Sequence, residues 1–207
     1  MAQQSEQPCP RLLVGVSGSL SAVHLPQYLM QFRQEFAAEI QVVMTAAASR
    51  LVSPQAIAAH ADGDVHTELW HTDRAHTGRQ HVGREHSPHL RLASWARLFV
   101  VLPASANTIA KAAHGLADDL LSATILASPR PVVFAPAMNA RMLDHPAVQR
   151  NLATLSADGH HVIPPRAVAA ISTGEDDGGR GPTLASVLPH LRQVLRRTHL
   201  STARAAS

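Results

Sequence analysis

Arg11-Leu12-Leu13-Val14-Gly15-Val16-Ser17-Gly18-Ser19 is the stretch on which the fold turns. An apolar, β-forming run ends in a small-residue turn that opens a helical pattern. No polar residue alternates within Arg11–Val16, so the run reads as a strand buried on both faces. Apolar positions at Val23, Leu25, Leu29, Met30 and Phe32 predict a helix over 19–36, with Ser19 or Ser21 as its cap.

The same alternation repeats outward. Residues 40–44 form a second apolar run, followed by Thr45 and a run of alanines, and Ser53-Pro54 marks a helix start with proline at the first helical position. Further strands are predicted at 96–102, 131–135 and 161–163, and helices at 107–113, 116–127, 139–156 and 184–197. Residues 1–10 and 198–207 read as loose tails around a single domain at 11–197. Strands alternating with helices predict an α/β fold with a parallel sheet covered on both faces. Ligands in such sheets bind beyond the carboxyl ends of the strands, near a switch in strand order.

Composition narrows the function. Hydrophobic residues make up 45% of 207, enough for a core. A net charge of +3 and 3% aromatics argue against a nucleic-acid partner. No apolar run reaches the roughly 18 residues of a membrane span, and the polar N-terminus lacks a signal-peptide core, so a cytoplasmic protein is expected. Cys9 is the only cysteine, which excludes a disulfide framework or thiolate metal site within one chain. His66, His71, His76, His81 and His86 recur at every fifth residue, a period that fits neither a helix face nor a strand face. They read as part of a solvated loop over 60–88. A metal or partner role is the alternative, but no carboxylate pattern completes a ligand set and no metal is assigned.

Three segments follow strands and carry chemistry. Gly15 to Ala22 offers glycines and a helix start, a phosphate cradle or an ordinary tight turn. It has neither the dinucleotide G-x-G-x-x-G spacing nor a P-loop lysine. Pro103-Ala104-Ser105-Ala106-Asn107-Thr108 places small hydroxyl and amide residues where a flat heterocycle can approach; Ser105 or Asn107 can equally act as a helix cap. Pro136-Ala137-Met138-Asn139-Ala140-Arg141-Met142 presents Asn139 at a helix start, where its amide can donate to a carboxylate or simply cap, beside methionines suited to a core.

Together these segments resemble the homo-oligomeric flavin-containing cysteine decarboxylases. Ser-Ala-Asn-Thr at 105–108 after Pro103, and Pro-Ala-Met-Asn-x-x-Met at 136–142, match that family's two signature motifs, and the likeness covers about residues 11–185. It implies a Rossmann-like three-layer sandwich, FMN as cofactor, and FMN lodged between the subunits of trimers; whether the assembly is a trimer or a dodecamer is left open. It also picks one histidine out of 14. His89-Leu90-Arg91-Leu92 followed by Trp95-Ala96 matches the family's base-bearing stretch, which makes His89 the catalytic base. By the same likeness Gly18, Ser19 and Leu20 line the FMN phosphate, with Thr45 and Ala46 behind them. Ser105, Ala106, Asn107, Thr108 and Ala137 complete the flavin pocket. Asn139, Met138, Met142, Ser172 and Thr173 bind substrate, the last two from a flap at 164–182.

The implied reaction is oxidation of a cysteine thiol at Cβ by the flavin. The thioaldehyde so formed makes an electron sink, and loss of CO2 leaves an enethiol. Imidazole suits the role of base because it exchanges protons near neutral pH. Two departures from the family pattern bear on substrate. Leu143 stands where a tryptophan usually follows the second motif. The flap reads Ile171-Ser172-Thr173-Gly174 where the coenzyme A enzymes carry a cysteine. The expectation is therefore a peptidyl-cysteine decarboxylase acting on the C-terminal cysteine of a ribosomally made precursor peptide, toward an aminovinyl-cysteine ring. Phosphopantothenoylcysteine decarboxylase of coenzyme A synthesis is the alternative. A flavin prenyltransferase and a non-catalytic FMN-binding subunit are more distant readings.

Overall fold

A computed structural model of the chain describes residue 9 and residues 11–63, 65–69, 87–169 and 178–205. Among these residues, six parallel strands form the main sheet: β1 (Arg11–Val16), β2 (Glu39–Met44), β3 (Val65–His66), β4 (Leu98–Ala104), β5 (Val133–Pro136) and β7 (His161–Val162). Their order is β3-β2-β1-β4-β5-β7. The chain steps one way from β1 to β3 and the other way from β4 to β7. The order therefore reverses between β1 and β4, which opens a crevice at their carboxyl ends.

Alternation along each strand sorts side chains to two helical layers. Leu12, Val14, Val16, Ile40, Val42, Met44, Val100 and Val133 face α1 (Leu25–Phe36) and α9 (Leu184–Ala205). Leu13, Val43, Phe99, Val101 and Phe134 face the other way. They meet α4 (Pro88–Trp95), α5 (Ala106–Ala113), α6 (Leu120–Leu126) and α8 (Pro146–Ala157). Each fully buried side chain of this kind contributes about 1.5–3 kcal/mol by leaving water. Gly15 explains how closely α6 lies: a Cβ there would sit 2.5 Å from Leu121 Cδ1. The result is the expected three-layer α/β sandwich.

A second, three-stranded sheet, β6-β9-β8, lies outside the first. Its strands are β6 (Met138–Asn139), β8 (Arg166–Val168) and β9 (Gly179–Gly181), all antiparallel.

Several elements differ from the sequence expectation. The helix expected from Ser19 is a 3-10 turn at Leu20–His24, and α1 begins only at Leu25. Pro26 lies in the first turn of α1 and lacks the N–H that would bond back into the preceding turn, so the α-helix starts there. The helix expected over 139–156 breaks into α7 (Ala140–Leu143) and α8 at Pro146 for the same reason. Of the two short helices after β2, α3 (Pro54–Ala58) starts at Pro54 as expected, whereas α2 (Ala46–Ser49) was not expected. The helix α4 was not expected. The span 164–182, read as a loop, contributes β8 and β9, because their partner β6 is distant in sequence.

Cys9, expected in a loose tail, is buried, and its N–H donates to Phe36 O at 3.1 Å. Burial pushes its thiol pKa up. His66, expected in a solvated loop, is buried on β3, with Nε2 3.3 Å from Gln41 Oε1; His71, His76, His81 and His86 lie outside the described residues. The helix α9 runs to Ala205, through residues expected to fray.

Candidate functional site

The crevice between β1 and β4 is held by one hydroxyl. Ser17 is fully buried, and its Oγ donates to Pro103 O at 2.7 Å and accepts from Ser105 N at 2.7 Å. The Ser17 N–H also donates to Pro103 O, at 3.2 Å. The turns after β1 and β4 are thereby locked side by side. A third turn joins them, since Thr45 N donates to Val16 O at 3.0 Å. Gly18 packs against that turn so tightly that a Cβ would lie 2.5 Å from Ala47 Cβ. Glycine here allows close backbone approach.

Ser19 precedes the 3-10 turn but spends no side-chain hydrogen bond on capping it. Thr45 and Ser105 do cap: Thr45 Oγ1 accepts from Ala48 N at 3.2 Å, and Ser105 Oγ accepts from Thr108 N at 3.4 Å. Thr108 is buried against Ser105, with the two hydroxyls 3.2 Å apart.

The turn after β5 completes the group. Ala137 N donates to Ala104 O at 3.0 Å, which draws the 136–142 segment against the end of β4. Asn139 caps α7, and its Oδ1 accepts from Arg141 N at 2.9 Å. That bond orients the amide and leaves Nδ2, a pure donor, at an exposed position. Pairing of β6 with β9 sets Met138 opposite Arg180 and Asn139 opposite Gly179. Gly179 is required there, because a Cβ would lie 2.8 Å from Val168 O.

These turns enclose a cavity of about 280 Å3. From the sequence-predicted residues it gathers Gly18, Ser19 and Leu20, then Ser105, Ala106 and Ala137, and finally Met138, Asn139 and Met142. Thr45, Ala46, Asn107 and Thr108 sit in the adjoining turns and do not line it. Ser172 and Thr173 lie outside the described residues. His89 stands on α4, which packs against α6, and does not line the cavity. Its Nδ1 is buried with no hydrogen-bond partner. Leu143, the last residue of α7, is buried.

Sequence reasoning missed the lining residues Ser21, Val168, Ala169, Gly178, Gly179 and Arg180, and Ser17 beneath them. Ser17 carried a readable signal, a polar residue ending a buried strand. Arg180 and Val168 carried none, because β8 and β9 reach the cavity only through pairing with β6. Among the described lining residues Arg180 is the only charged side chain and there is no carboxylate, so the cavity favours an anionic guest.

The chain matches the flavoprotein family over residues 1–194. It is 35% identical over 173 residues to mersacidin decarboxylase of Bacillus sp. (strain HIL-Y85/54728), covering 83% of this chain and 82% of that protein. It is 39% identical over 154 residues to the coenzyme A biosynthesis bifunctional protein CoaBC of Bacillus subtilis (strain 168), covering 74% of this chain but only 36% of that longer protein. Among solved structures, the FMN-dependent cysteine decarboxylase SpaF superposes with a TM-score of 0.72 at 38% identity, over 91% of this chain and 96% of that one.

Proposed function

The chain belongs to the homo-oligomeric flavin-containing cysteine decarboxylases, a flavoprotein family with a Rossmann-like fold, and on that premise we propose that it is an FMN-dependent peptidyl-cysteine decarboxylase. Its substrate is a precursor peptide ending in cysteine, and its product is the C-terminal enethiol. The observation that carries this reading is the convergence of both signature motifs and the Gly18 turn on one cavity at the strand switch point.

The residues fit the cofactor. Gly18, Ser19 and Leu20 present backbone and an uncommitted hydroxyl for a phosphate, with Thr45 and Ala46 in the turn behind. Ser105, Ala106 and Ala137 are small enough for a flat ring system, with Asn107 and Thr108 on the same turn. When bound, FMN accepts the two electrons and so supplies the driving force for breaking the carbon–carbon bond. Asn139 Nδ2 donates to the substrate carboxylate; a neutral amide orients it without stabilising its charge so strongly that CO2 loss is opposed. Met138 and Met142 form apolar walls beside the thiol. His89 removes the thiol proton, and Ser172 and Thr173 hold the peptide.

A shared site between subunits accounts for two features of the single chain. His89 stands apart from the cavity that holds its proposed partners, with a buried nitrogen unmatched. At about 280 Å3 the cavity also falls just under the roughly 300–1,000 Å3 of small-molecule sites, though the cofactor and a peptide must both be accommodated. In the trimer, His89 of one subunit faces the cavity of the next.

The coenzyme A reading rests on the likeness to CoaBC. Against it, residues 164–182 contain no cysteine, and Cys9 is buried before β1, at the opposite end of that strand from the cavity. No thiol of the chain is placed to return electrons to the product.

Mass spectrometry of the FMN-loaded protein with a cysteine-terminated peptide and, separately, with phosphopantothenoylcysteine tests the proposal. The expected peptide product lacks CO2 and two hydrogens. Reaction of the pantothenoyl substrate alone would assign the coenzyme A step instead. Inertness toward both, with flavin bound, would leave a binding protein.

A further inference from the structure

A second cavity, of about 230 Å3, lies at the far end of the main sheet from the flavin cavity. It sits where β5 and β7 begin, in register at Val133 and His161, under α9. We propose that it is an anion-binding site for a phosphate or carboxylate oxyanion, held by His160, His161, His190, Gln193 and Arg197.

The lining has hydrogen-bond donors in excess. It contains three imidazoles, one amide and one guanidinium, and no carboxylate among the described residues. Arg197 is exposed at the rim and carries five donors and no acceptor. His160 Nδ1 accepts from Val132 N at 3.1 Å, so in neutral His160 the proton must sit on Nε2. Its ring is held edge-on to Phe134, with centroids 5.7 Å apart. His190 Nδ1 lies 2.9 Å from Ser186 O. A carbonyl only accepts, so Nδ1–H donates there, and Nε2 becomes a second donor only when the ring is protonated. His161 engages in no hydrogen bond through its ring among the described residues, while its backbone N–H is fixed to Val132 O at 2.9 Å. The volume far exceeds the roughly 10–15 Å3 that one water occupies.

The surrounding charges are mostly positive, with Asp158 the one carboxylate acting on the lining histidines among the described residues. Burial lowers the pKa of His160, partly offset by Asp158 at the end of α8. Burial also lowers that of His161, and Arg197, His160 and His190 add to the effect. On α9, Arg192 is already engaged with Glu35. An oxyanion in the cavity reverses the balance, because its charge favours the protonated imidazoles and each protonation adds a charge-assisted donor. Binding therefore takes up protons and strengthens as pH falls.

Inorganic phosphate, with succinate as a carboxylate arm and chloride at matched ionic strength as control, tests this on the FMN-loaded protein. Phosphate or succinate should raise the melting temperature above the chloride control, more at pH 6 than at pH 8. Calorimetry in buffers of different ionisation enthalpy should register proton uptake. The stronger of the two arms identifies the source of the oxyanion. Arg197→Ala should weaken binding about tenfold, the share of one charge-assisted hydrogen bond, and leave flavin binding and decarboxylation unchanged. Gln193→Ala, at an exposed position, is the second variant should Arg197→Ala unfold. No effect beyond chloride, or equal effects in wild type and variants, would overturn the site while leaving the decarboxylase reading untouched.

Discussion

Replacing Ser17 with alanine isolates the contact that builds the crevice. The hydroxyl serves two partners, Pro103 O and Ser105 N, each at 2.7 Å, and the residue is fully buried. The consequences are unequal. Pro103 O keeps the Ser17 backbone N–H at 3.2 Å, whereas the Ser105 N–H loses its partner. An orphaned amide costs about 1–3 kcal/mol, so a loss of about 2 kcal/mol is expected. In a chain of this size that lowers the melting temperature by about 4–8 °C. Ser105→Ala is the contrast: it keeps the Ser17 contacts and loses a long cap bond of 3.4 Å together with the 3.2 Å contact to the Thr108 hydroxyl, in all about 1 kcal/mol. Urea unfolding of the flavin-free proteins should show the larger midpoint shift for Ser17→Ala, with unchanged slopes. FMN affinity should fall with it, because the turns after β1 and β4 are no longer locked. A Ser17→Ala unfolding free energy within about 0.5 kcal/mol of wild type, or a smaller loss than in Ser105→Ala, would refute this account of the crevice.

Three further outcomes are expected. His89→Asn should retain bound flavin and the wild-type melting temperature while abolishing peptide decarboxylation; full turnover in that variant would remove His89 from the chemistry. Gly179→Ala places a methyl 2.8 Å from Val168 O and should disrupt β8–β9 pairing and displace the strand that holds β6, raising KM for peptide at least about tenfold with flavin affinity little changed. In anion-free buffer, stability should fall as pH drops below about 6.5, the unperturbed imidazole value. His160 and His161 have lowered pKa values in the folded chain, so the unfolded chain binds more protons in that window. A melting temperature flat from pH 7.5 to 5.5 would contradict this sign.

How far local sequence reaches is clear from particular residues. The strand Arg11–Val16 and the turn after it were readable because an unbroken apolar run can be satisfied only by burial on both faces. Ser53-Pro54 was readable because proline at a first helical position forfeits no hydrogen bond. Pro26 and Pro146 were equally visible, yet apolar periodicity ran across both, and the backbone constraint prevailed over the side-chain pattern. The members of the cavity from the 18–20, 105–106 and 137–142 turns were named in advance because motif chemistry is written in consecutive residues. Ser17 as the lock, Arg180 on the wall, His66 on an edge strand and Cys9 under α1 were not.

Each of those four depends on a partner distant along the chain, and periodicity carries no information about partners. The amino-acid order thus settles which residues are equipped to bind phosphate, ring and carboxylate. Which of them meet is settled by the strand order β3-β2-β1-β4-β5-β7. That order is selected by burying two faces of one sheet at once, a condition that no local segment satisfies alone.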